Sequence, residues 1–334
     1  VKQIFFTKDV AQYTLYWKIR KGLFPAVGAV RKTGTTVIIE DVAYPIEHLA
    51  EATLELQELF KKHGYKEAII FGHALEGNFH FVFTQDFSHK KEVKRYDDFM
   101  NDVVHSVAVK YQGSLKAEHG TGRNMAAFVE LEWGSDAYMM MKKIKNLFDP
   151  RGLLNPGVII NDDKEAHLKN LKTLPATNPI VDKCIECGFC EPTCPSNELT
   201  LSPRQRIVIN REISRLENIG LFKEAKEYKK LYQYDGIETC ATCSLCSSAC
   251  PVNIDTGSLT KHLRAEQASE NSKSIANFVA NNFSSTLKGI RVGLHSANFI
   301  HKVLGTASME TFTQTFRDLS KNTLPKWTET MPKG

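Results

Sequence analysis

The eight cysteines of this chain all lie between positions 184 and 250, in two copies of one pattern. The first copy of C-x2-C-x2-C-x3-C-P begins at Cys184 and the second begins at Cys240. At this spacing three thiolates can hold three corners of a [4Fe–4S] cubane, while the fourth cysteine reaches a second cluster. The pattern therefore predicts two [4Fe–4S] clusters that exchange a ligand. One set is Cys184, Cys187, Cys190 and Cys250, and the other is Cys240, Cys243, Cys246 and Cys194.

Disulfides and zinc are the alternatives for these cysteines. Disulfides are disfavoured because the sequence shows no secretory signal. Zinc sites normally use two pairs of thiols rather than four closely spaced ones followed by proline. The segment between the motifs has helical periodicity, which favours a helical ferredoxin over the compact, β-rich small ferredoxins. Two clusters that share motifs can pass single electrons, but they do not by themselves transform a substrate.

A second set of chemically useful residues lies in GHALEGNFH, where His73 and His80 are seven positions apart. If Glu76 and Gly77 form a two-residue turn, the histidines pair directly across a hairpin, with Cβ atoms roughly 4.5–5.5 Å apart. Two imidazoles at that separation can bind one divalent metal ion. Taken alone, the pair is also compatible with ordinary core or surface histidines, and a one-residue slip would separate them.

Glu118 and His119 in KAEHGTGR extend this set. They precede Gly120 and Gly122, which permit close approach of the backbone to a ligand. A carboxylate and two histidines leave a metal coordination position open for substrate. The adjacent His119 can accept a proton from a metal-polarised hydroxyl group.

The elements that must position these residues alternate between strand and helix. Their order predicts a β-α-β-β-α-β unit, the ferredoxin-like arrangement, in an α+β protein. The predicted strands are 35–42, 67–74, 79–83 and 113–120, with one helix after Pro45 and another after Ser88.

Beyond position 160 the strand patterns disappear. We predict a substrate and metal domain at 1–160, a linker at 161–180, an all-helical ferredoxin domain at 181–306, and a linker at 307–334 towards a further domain. Ser202 and Pro203 are predicted to begin a helix, because serine caps helices and proline suits the first turn.

Composition restricts the partners of the protein. Hydrophobic residues make up 42% and charged residues 24%, as in ordinary globular proteins. The net charge of +5 is dispersed among acidic residues, which argues against a nucleic-acid partner. No apolar run reaches roughly 18 residues, and no signal peptide is visible in this sequence. We therefore expect no transmembrane segment and a cytoplasmic location, with peripheral association at the inner face of the membrane left open.

GHALEGNFH, KAEHGTGR and FDPRGLLNPG, in that order, resemble the C-terminal substrate domain of FAD-linked oxidases of the vanillyl-alcohol-oxidase type. The nearest branch contains D-lactate, glycolate and D-2-hydroxyglutarate dehydrogenases. The resemblance covers residues 1 to about 160, and the cysteine motifs match long bacterial members with a fused iron–sulfur domain. It implies that His73, His80 and Glu118 bind zinc or a similar divalent ion, which holds a 2-hydroxy acid, and that His119 is the general base.

The same resemblance suggests further site residues. Asn155 corresponds to a position near the flavin, and Gly120 is a candidate for contact with the cofactor. Arg20 and Lys32 are candidates for binding the substrate carboxylate, in a segment that also contains Arg31. The alternative for each of these cations is a solvated side chain at a helix end.

We therefore predict FAD-dependent oxidation of D-lactate or D-2-hydroxyglutarate to the 2-oxo acid. Electrons would pass through the two clusters to a quinone or a cysteine-rich domain. The chain begins at Val1 without methionine, and we expect it to be the middle fragment of a longer protein. Because no segment resembles the domain that grips FAD, we expect the fragment alone to be inactive. The alternative is a non-catalytic electron-transfer or docking subunit with a degenerate oxidase domain.

Overall fold

The computed structural model describes residues 6–328, 330 and 331. The chain divides into two compact units, one up to His262 and the other from Leu263 onward. The protein is a mixture of helices and one small sheet, as predicted. The strands are β1 Thr36–Ala43, β2 Ile69–His73 and β3 Asn78–Gln85. The α-helices are α1 Val10–Ala29, α2 Leu49–Lys62, α3 Lys90–Val104, α4 Val129–Trp133, α5 Ser135–Phe148, α6 Pro203–Asn218, α7 Phe222–Tyr232, α8 Leu245–Ala249, α9 Thr256–Gln267, α10 Glu270–Asn281 and α11 Phe283–Leu319.

The sheet has the order β1-β3-β2, and β3 is antiparallel to both neighbours. The helix α2 connects β1 to β2, so the third strand is inserted between two strands joined by a helix, which is the arrangement of a split βαβ unit. One face of β3 carries Phe81 and Phe83, which pack with Phe99 of α3 in the main hydrophobic core. The first three predicted strands and both predicted helices are thus present.

The predicted fourth strand does not form in the described part of the chain. Ser114 exchanges two backbone hydrogen bonds with Ala43 of β1, each 2.9 Å long, and beyond this single bridge the N–H of Ala117 makes one longer bond, of 3.4 Å, to the carbonyl of Asp41. Further along, the backbone N–H groups of Glu118 and His119 donate to the side chain of Asp41, at 2.6 and 2.7 Å. In a fourth strand these N–H groups would donate to backbone carbonyls of β1. Because they donate to the carboxylate of Asp41 instead, the segment forms a loop anchored to β1.

The hairpin between β2 and β3 has a longer loop than predicted. His80 pairs with Phe71 rather than with His73, and the loop spans residues 74–77, including a 3-10 turn. The predicted two-residue turn is therefore wrong. Since side chains alternate with a period of two, the two-residue displacement of register leaves both histidines on one face as diagonal neighbours.

Gly77 gives the physical reason for this longer loop. Its φ is 67°, in the left-handed region, and its carbonyl accepts a 2.9 Å hydrogen bond from the backbone of Tyr44. A Cβ atom at this position would lie 2.1 Å from the carbonyl oxygen of Tyr44. The loop is thus tied to the end of β1 by a contact that only glycine allows.

The face of the sheet opposite the aromatic core packs against α1. A Cβ atom on Gly28 of α1 would lie 2.6 Å from Cγ2 of Ile185 and 3.1 Å from Cγ2 of Val37 in β1. Ile185 follows the first cysteine of the first motif. The helix α1 therefore lies close to both the sheet and the first cysteine loop.

Residues 181–306, all of which the structure describes, contain helices and loops but no strand. The predicted start of α6 is confirmed, because Ser202 and Gln205 form a reciprocal capping box and Pro203 is the first helical residue. The cysteine motifs lie on either side of α6 and α7, the first in a loop and the second in a loop that continues into α8, which contains Cys246.

The segment predicted as a linker from position 307 begins as helix. The helix α11 continues to Leu319, with a break in helical geometry at Gly305, where φ is 77° and ψ is 166°. Farther on, the backbone N–H of Trp327 donates to Thr313 at 2.9 Å, and its ring lies 5.5 Å from that of His301. Residues 307–319 are therefore not extended. Within the part of the chain that the structure describes, none of the helices has the length and apolarity needed to cross a bilayer.

Candidate functional site: a histidine–carboxylate cluster and two cysteine cavities

Three imidazoles converge on one carboxylate oxygen at the edge of the sheet. Glu118 Oε1 lies 2.8 Å from Nε2 of His80, 3.4 Å from Nε2 of His73 and 4.0 Å from Nε2 of His119. The structure therefore brings together all four residues that the two sequence motifs predict. His80 comes from the central strand β3, His73 from the end of β2, and the other two from the loop that replaces the fourth strand.

The rings are oriented in two ways. The rings of His80 and His119 are stacked, with centroids 4.6 Å apart and planes 6° apart, whereas the ring of His73 is nearly perpendicular to His80, at 87°. His80 is only 3% exposed, while His73, Glu118 and His119 are partly open to solvent. The cluster is thus anchored by a buried imidazole and accessible from the side of the other three residues.

Asp41 is the site residue that the sequence analysis missed. It lies on β1 directly opposite His80 in the register and is completely buried. Its Oδ1 lies 3.2 Å from Nδ1 of His80, and its Oδ2 accepts the backbone N–H groups of Glu118 and His119. The available signal was an acidic residue in the middle of the strand-like run TTVIIEDV, which strands seldom bury without a partner.

The electrostatics favour an ionised Asp41 beside a neutral His80. Burial tends to raise the pKa of Asp41, but the backbone N–H groups of His119 and Glu118 and the nearby imidazoles hold it below its usual value. Burial lowers the pKa of His80, and the carboxylate of Asp41 opposes this only in part. A neutral imidazole is the form that binds a metal ion.

The donor set fits a divalent metal ion. Two imidazole nitrogens and one carboxylate oxygen match the three protein ligands of a catalytic zinc site. The buried atoms Asp41 Oδ1 and His80 Nδ1 face each other at 3.2 Å, but their geometry falls short of a hydrogen bond. A histidine that ligates a metal commonly donates its other ring nitrogen to such a carboxylate. One ligand atom from each of Asp41, His80, Glu118 and His119 lies within 4.8 Å of the others.

Of the cations considered from the sequence, Arg20 lies at this cluster. Its Nη2 is 3.3 Å from Nε2 of His73, and its guanidinium lies 5.4 Å from the ring centroid of Trp17. The side chain of Lys32 is exposed, and the described residues show no contact between it and the cluster. Arg31 is buried and donates to backbone carbonyls elsewhere. Arg20 is therefore the cation that the fold brings to the site.

The two candidates for contact with the flavin, Gly120 and Asn155, both have left-handed backbone conformations, with φ of 76° and 43°. The turn that contains Asn155 is held by Asp149, whose carboxylate accepts the N–H groups of Leu153 and Leu154 at 2.9 and 2.8 Å. An ion pair with Lys145 and these backbone donors lower the pKa of Asp149 to about 2. The proximity of Gly120 and Asn155 to FAD remains a prediction.

The eight cysteines line two cavities, and all of them have free thiols. The first cavity is lined by Cys184, Cys187, Cys190 and Cys250. The second is lined by Cys194, Cys240, Cys243 and Cys246. Each cavity thus receives three cysteines from one motif and the fourth from the other.

The two motifs repeat one backbone conformation. The residues immediately before and after the second cysteine have positive φ in both loops. They are Glu186 at 64° and Gly188 at 88° in the first motif, and Thr242 at 50° and Ser244 at 62° in the second. Left-handed residues turn successive N–H groups to one side, which forms concave anion sites of the kind that surround iron–sulfur clusters.

The chemistry of the first cavity also fits an iron–sulfur cluster. Burial raises the pKa of Cys184, and burial together with the neighbouring Cys184 and Cys187 raises the pKa of Cys190 to about 12. Thiols with raised pKa values such as these two become thiolates when a strong positive charge binds beside them. The cavities therefore hold donor sets suited to [4Fe–4S] clusters.

Comparison with known proteins finds two matched regions, and each of them contains one of the two candidate sites. Residues 1–159 match the family model for FAD linked oxidases, C-terminal domain, and residues 180–254 match that for a 4Fe-4S dicluster domain. D-lactate dehydrogenase [cytochrome], mitochondrial, of Arabidopsis thaliana is 35% identical over 147 residues, which cover 43% of this chain and 25% of the relative. Glycolate oxidase subunit GlcD of Bacillus subtilis is 30% identical over 138 residues, which cover 41% of this chain and 29% of the relative.

A further relative aligns across both matched regions. D-2-hydroxyglutarate dehydrogenase of Escherichia coli is 27% identical over 302 residues, which cover 74% of this chain and 29% of the relative. The chain spans 25% to 29% of the length of these three relatives. It therefore combines a region that matches the C-terminal domain of FAD linked oxidases with one that matches a 4Fe-4S dicluster domain, and its relatives are named as D-lactate, glycolate and D-2-hydroxyglutarate enzymes.

Proposed function

We propose that the whole protein oxidises a D-2-hydroxy acid, D-lactate or D-2-hydroxyglutarate, to the 2-oxo acid. Electrons then pass through two [4Fe–4S] clusters to a further acceptor, a quinone or a cysteine-rich domain. The observation that carries this proposal is the convergence of three imidazole Nε2 atoms on Glu118, with Arg20 beside them. The names of the relatives supply the substrate class.

His73, His80 and Glu118 are the proposed ligands of the divalent ion, zinc or a similar metal. The ion would polarise the substrate hydroxyl and lower its pKa. His119 is the proposed general base, since its ring is partly exposed and stacked on His80. Oxidation of the alcohol releases one proton and one hydride, and the proton goes to the imidazole of His119.

Arg20 is the proposed partner of the substrate carboxylate. Its guanidinium now donates towards Nε2 of His73, which is the nitrogen that a metal ion would occupy. Because an imidazole lone pair serves one partner at a time, metal binding would free Arg20 for a carboxylate. A guanidinium can grip a carboxylate through two parallel hydrogen bonds. Lys32, Gly120 and Asn155 stay as predicted contacts of substrate and flavin.

Bound FAD supplies a hydride acceptor, and bound clusters supply carriers of single electrons. The proposed ligand sets are those of the two cavities, with Cys250 completing the first and Cys194 completing the second. Each motif would thus lend one thiolate to the other cluster, which holds the two clusters close together.

The test uses the complete natural protein. D-lactate, D-2-hydroxyglutarate and glycolate are each added, and bleaching of the flavin and cluster absorption bands is measured alongside the content of divalent metal. We expect Glu118→Gln to lose the metal, and His119→Asn to keep the metal but lose turnover. His48→Asn is a matched control, because His48 is exposed and its imidazole pairs with Glu51 at 3.8 Å. Intact clusters with neither divalent metal nor bleaching would support the electron-transfer subunit instead.

A further inference from the structure

Arg31 has an unusual environment for a cation. Its side chain is buried, and each of its five N–H donors has a backbone carbonyl acceptor at 2.9–3.1 Å. The acceptors are the carbonyl oxygens of Gly28, Thr35, Asp182, Lys183 and Cys184. No donor is left over for a substrate carboxylate, so the side chain has a different role.

The acceptors belong to two matched regions of the chain. Gly28 and Thr35 are part of the oxidase domain, whereas Asp182, Lys183 and Cys184 form the start of the first cysteine motif. One guanidinium therefore ties the C-terminal end of α1 to the backbone of the first predicted cluster ligand. Removing it would take a donor from all five carbonyls, of which Asp182 and Cys184 would keep the hydrogen bonds from Arg211.

The first cavity is also the one that the oxidase domain touches. Pro25 of α1 lines it together with the four cysteines of the first set, and Ile185 fills the space that a side chain on Gly28 would take. The described residues that line the second cavity all lie between 194 and 257. Of the two proposed clusters, the one held by Cys250 and the first motif thus adjoins the oxidase domain.

Two arginines near the first cavity, Arg31 and Arg211, differ in whether an acidic side chain neutralises their charge. Arg211 donates to the carbonyl of Cys184 at 2.9 Å, but it also forms a 2.7 Å ion pair with Glu186. Glu186 in turn pairs with Lys172. The direct partners of Arg31 in the described structure are neutral carbonyls. Its charge is therefore offset less than that of Arg211, and a positive charge near a cluster favours the reduced, more negative state.

We propose that electrons enter the dicluster domain at the cluster held by Cys184, Cys187, Cys190 and Cys250, and that Arg31 positions this cluster against the oxidase domain and raises its reduction potential. The inference rests on the proposed transfer through two clusters, but it does not depend on which hydroxy acid is oxidised. Arg31 acts through the backbone and through its charge, so it is a positioning residue.

The test is a reductive titration of the full chain with dithionite, followed by electron paramagnetic resonance of the clusters. We expect Arg31→Met to shift the one-electron reduction equilibrium of one cluster about tenfold towards the oxidised form, or about 59 mV, with the other unchanged. Arg31→Lys keeps the charge, and the potential should stay near that of the natural chain. Arg206→Met is the matched control, because Arg206 is buried at the second cavity and its Nη1 lies 3.8 Å from Sγ of Cys194. Arg206→Met should shift the reduction potential of the second cluster.

Unchanged potentials in Arg31→Met, or equal shifts of both clusters, would overturn the role of Arg31. If Arg31→Met loses the first cluster, the reduction potential of this cluster in Arg31→Lys is the deciding measurement. A shift in Arg31→Lys as large as that expected for Arg31→Met would show that the charge is not the cause. Dithionite needs neither FAD nor substrate. A natural chain that lacks two cluster signals would therefore contradict the proposed electron path itself, whereas two signals insensitive to Arg31 would contradict this inference alone.

Discussion

The two candidate sites differ in how their residues are brought together. In each cysteine motif the first three cysteines fall within seven consecutive positions, and the two loops repeat the same left-handed conformations. The histidine–carboxylate cluster instead draws on all three strands, a loop and α1. The comparison shows that the residues of a site can be brought together by their spacing along the sequence or by the register of neighbouring strands. Sites of the second kind depend on every contact that sets the register.

The largest expected effect tests the exchange of cysteines between the motifs. Cys184→Ser with Cys250→Ser removes two ligands of one proposed cluster, so the double variant should lose no more iron than either single variant, about half of the total. Cys240→Ser with Cys250→Ser removes a ligand from each cluster and should lose nearly all the iron. Iron and sulfide analysis, together with electron paramagnetic resonance, measures how many clusters each double variant retains. The reverse pattern would show that Cys250 ligates the cluster of its own motif.

The next effect tests whether Asp41 organises the histidine site. In Asp41→Asn the amide can present an N–H to Nδ1 of His80, which places the ring proton on Nε2 and blocks metal binding there. We expect a 10- to 100-fold weaker affinity for the divalent ion, as for other carboxylates that orient a metal-binding histidine. Chelator competition measures the affinity, and nitrogen NMR of the metal-free chain reports the tautomer.

Glu40→Gln is the matched control for Asp41→Asn. Glu40 is the neighbouring buried acid on β1, but it pairs with Phe81 in the register and forms an ion pair with Lys116 at 2.5 Å. It should affect stability without weakening metal binding. Equal metal affinity in Asp41→Asn and the natural chain would show that the site is organised without Asp41.

A smaller effect tests the register itself. Gly72 lies on β2, and a Cβ atom there would lie 2.2 Å from the carbonyl oxygen of Asn78. Gly72→Ala must displace the hairpin and should cost about 1–3 kcal/mol of stability, the usual range for overpacking. It should weaken metal binding as well, because His73 is the next residue. Urea unfolding and metal titration measure the two effects.

Gly22→Ala provides the control for Gly72→Ala. Gly22 lies within α1, and a Cβ atom there would have no neighbour within 4 Å. Alanine favours helix over glycine, so this change should stabilise the protein by about 0.5–1 kcal/mol. Similar results for both substitutions would mean that the close approach in β2 does not set the register.

The smallest effect concerns Asp149, which holds the turn before Asn155. Its pKa of about 2 in the folded chain lies below the ordinary value near 4. Its stabilising contribution is therefore present above about pH 4 and lost as the pH falls towards 2. Asp149→Asn should lower the free energy of unfolding at pH 7, and the difference from the natural chain should shrink at pH 3. Urea unfolding followed by tryptophan fluorescence measures it, and an equal difference at both pH values would contradict the pKa assignment.

Much of the candidate site could be predicted from the sequence, because its motifs contain the reactive residues themselves. The predicted turn of the hairpin was wrong. His73 and His80 still lie on one face of the sheet, because the register differs from the predicted one by two residues, an even number. The predicted fourth strand failed because its N–H groups bind the side chain of Asp41, a competition that no periodicity shows. Arg31 lies in the same segment as the candidates Arg20 and Lys32, but its side-chain donors all go to carbonyls, three of which lie about 150 positions away.

The sequence by itself determined the chemistry of this protein: thiols at cluster spacing, imidazoles beside a carboxylate, and the alternation of strands and helices that carries them. These are local properties, set by neighbours a few positions apart. The tertiary structure decided that Asp41 lies against His80 and anchors the loop of Glu118 and His119, and that Arg31 joins the first cysteine loop to the oxidase domain. Those outcomes depend on which distant backbone and side-chain groups satisfy each buried donor and acceptor. That question is answered only when the chain has packed.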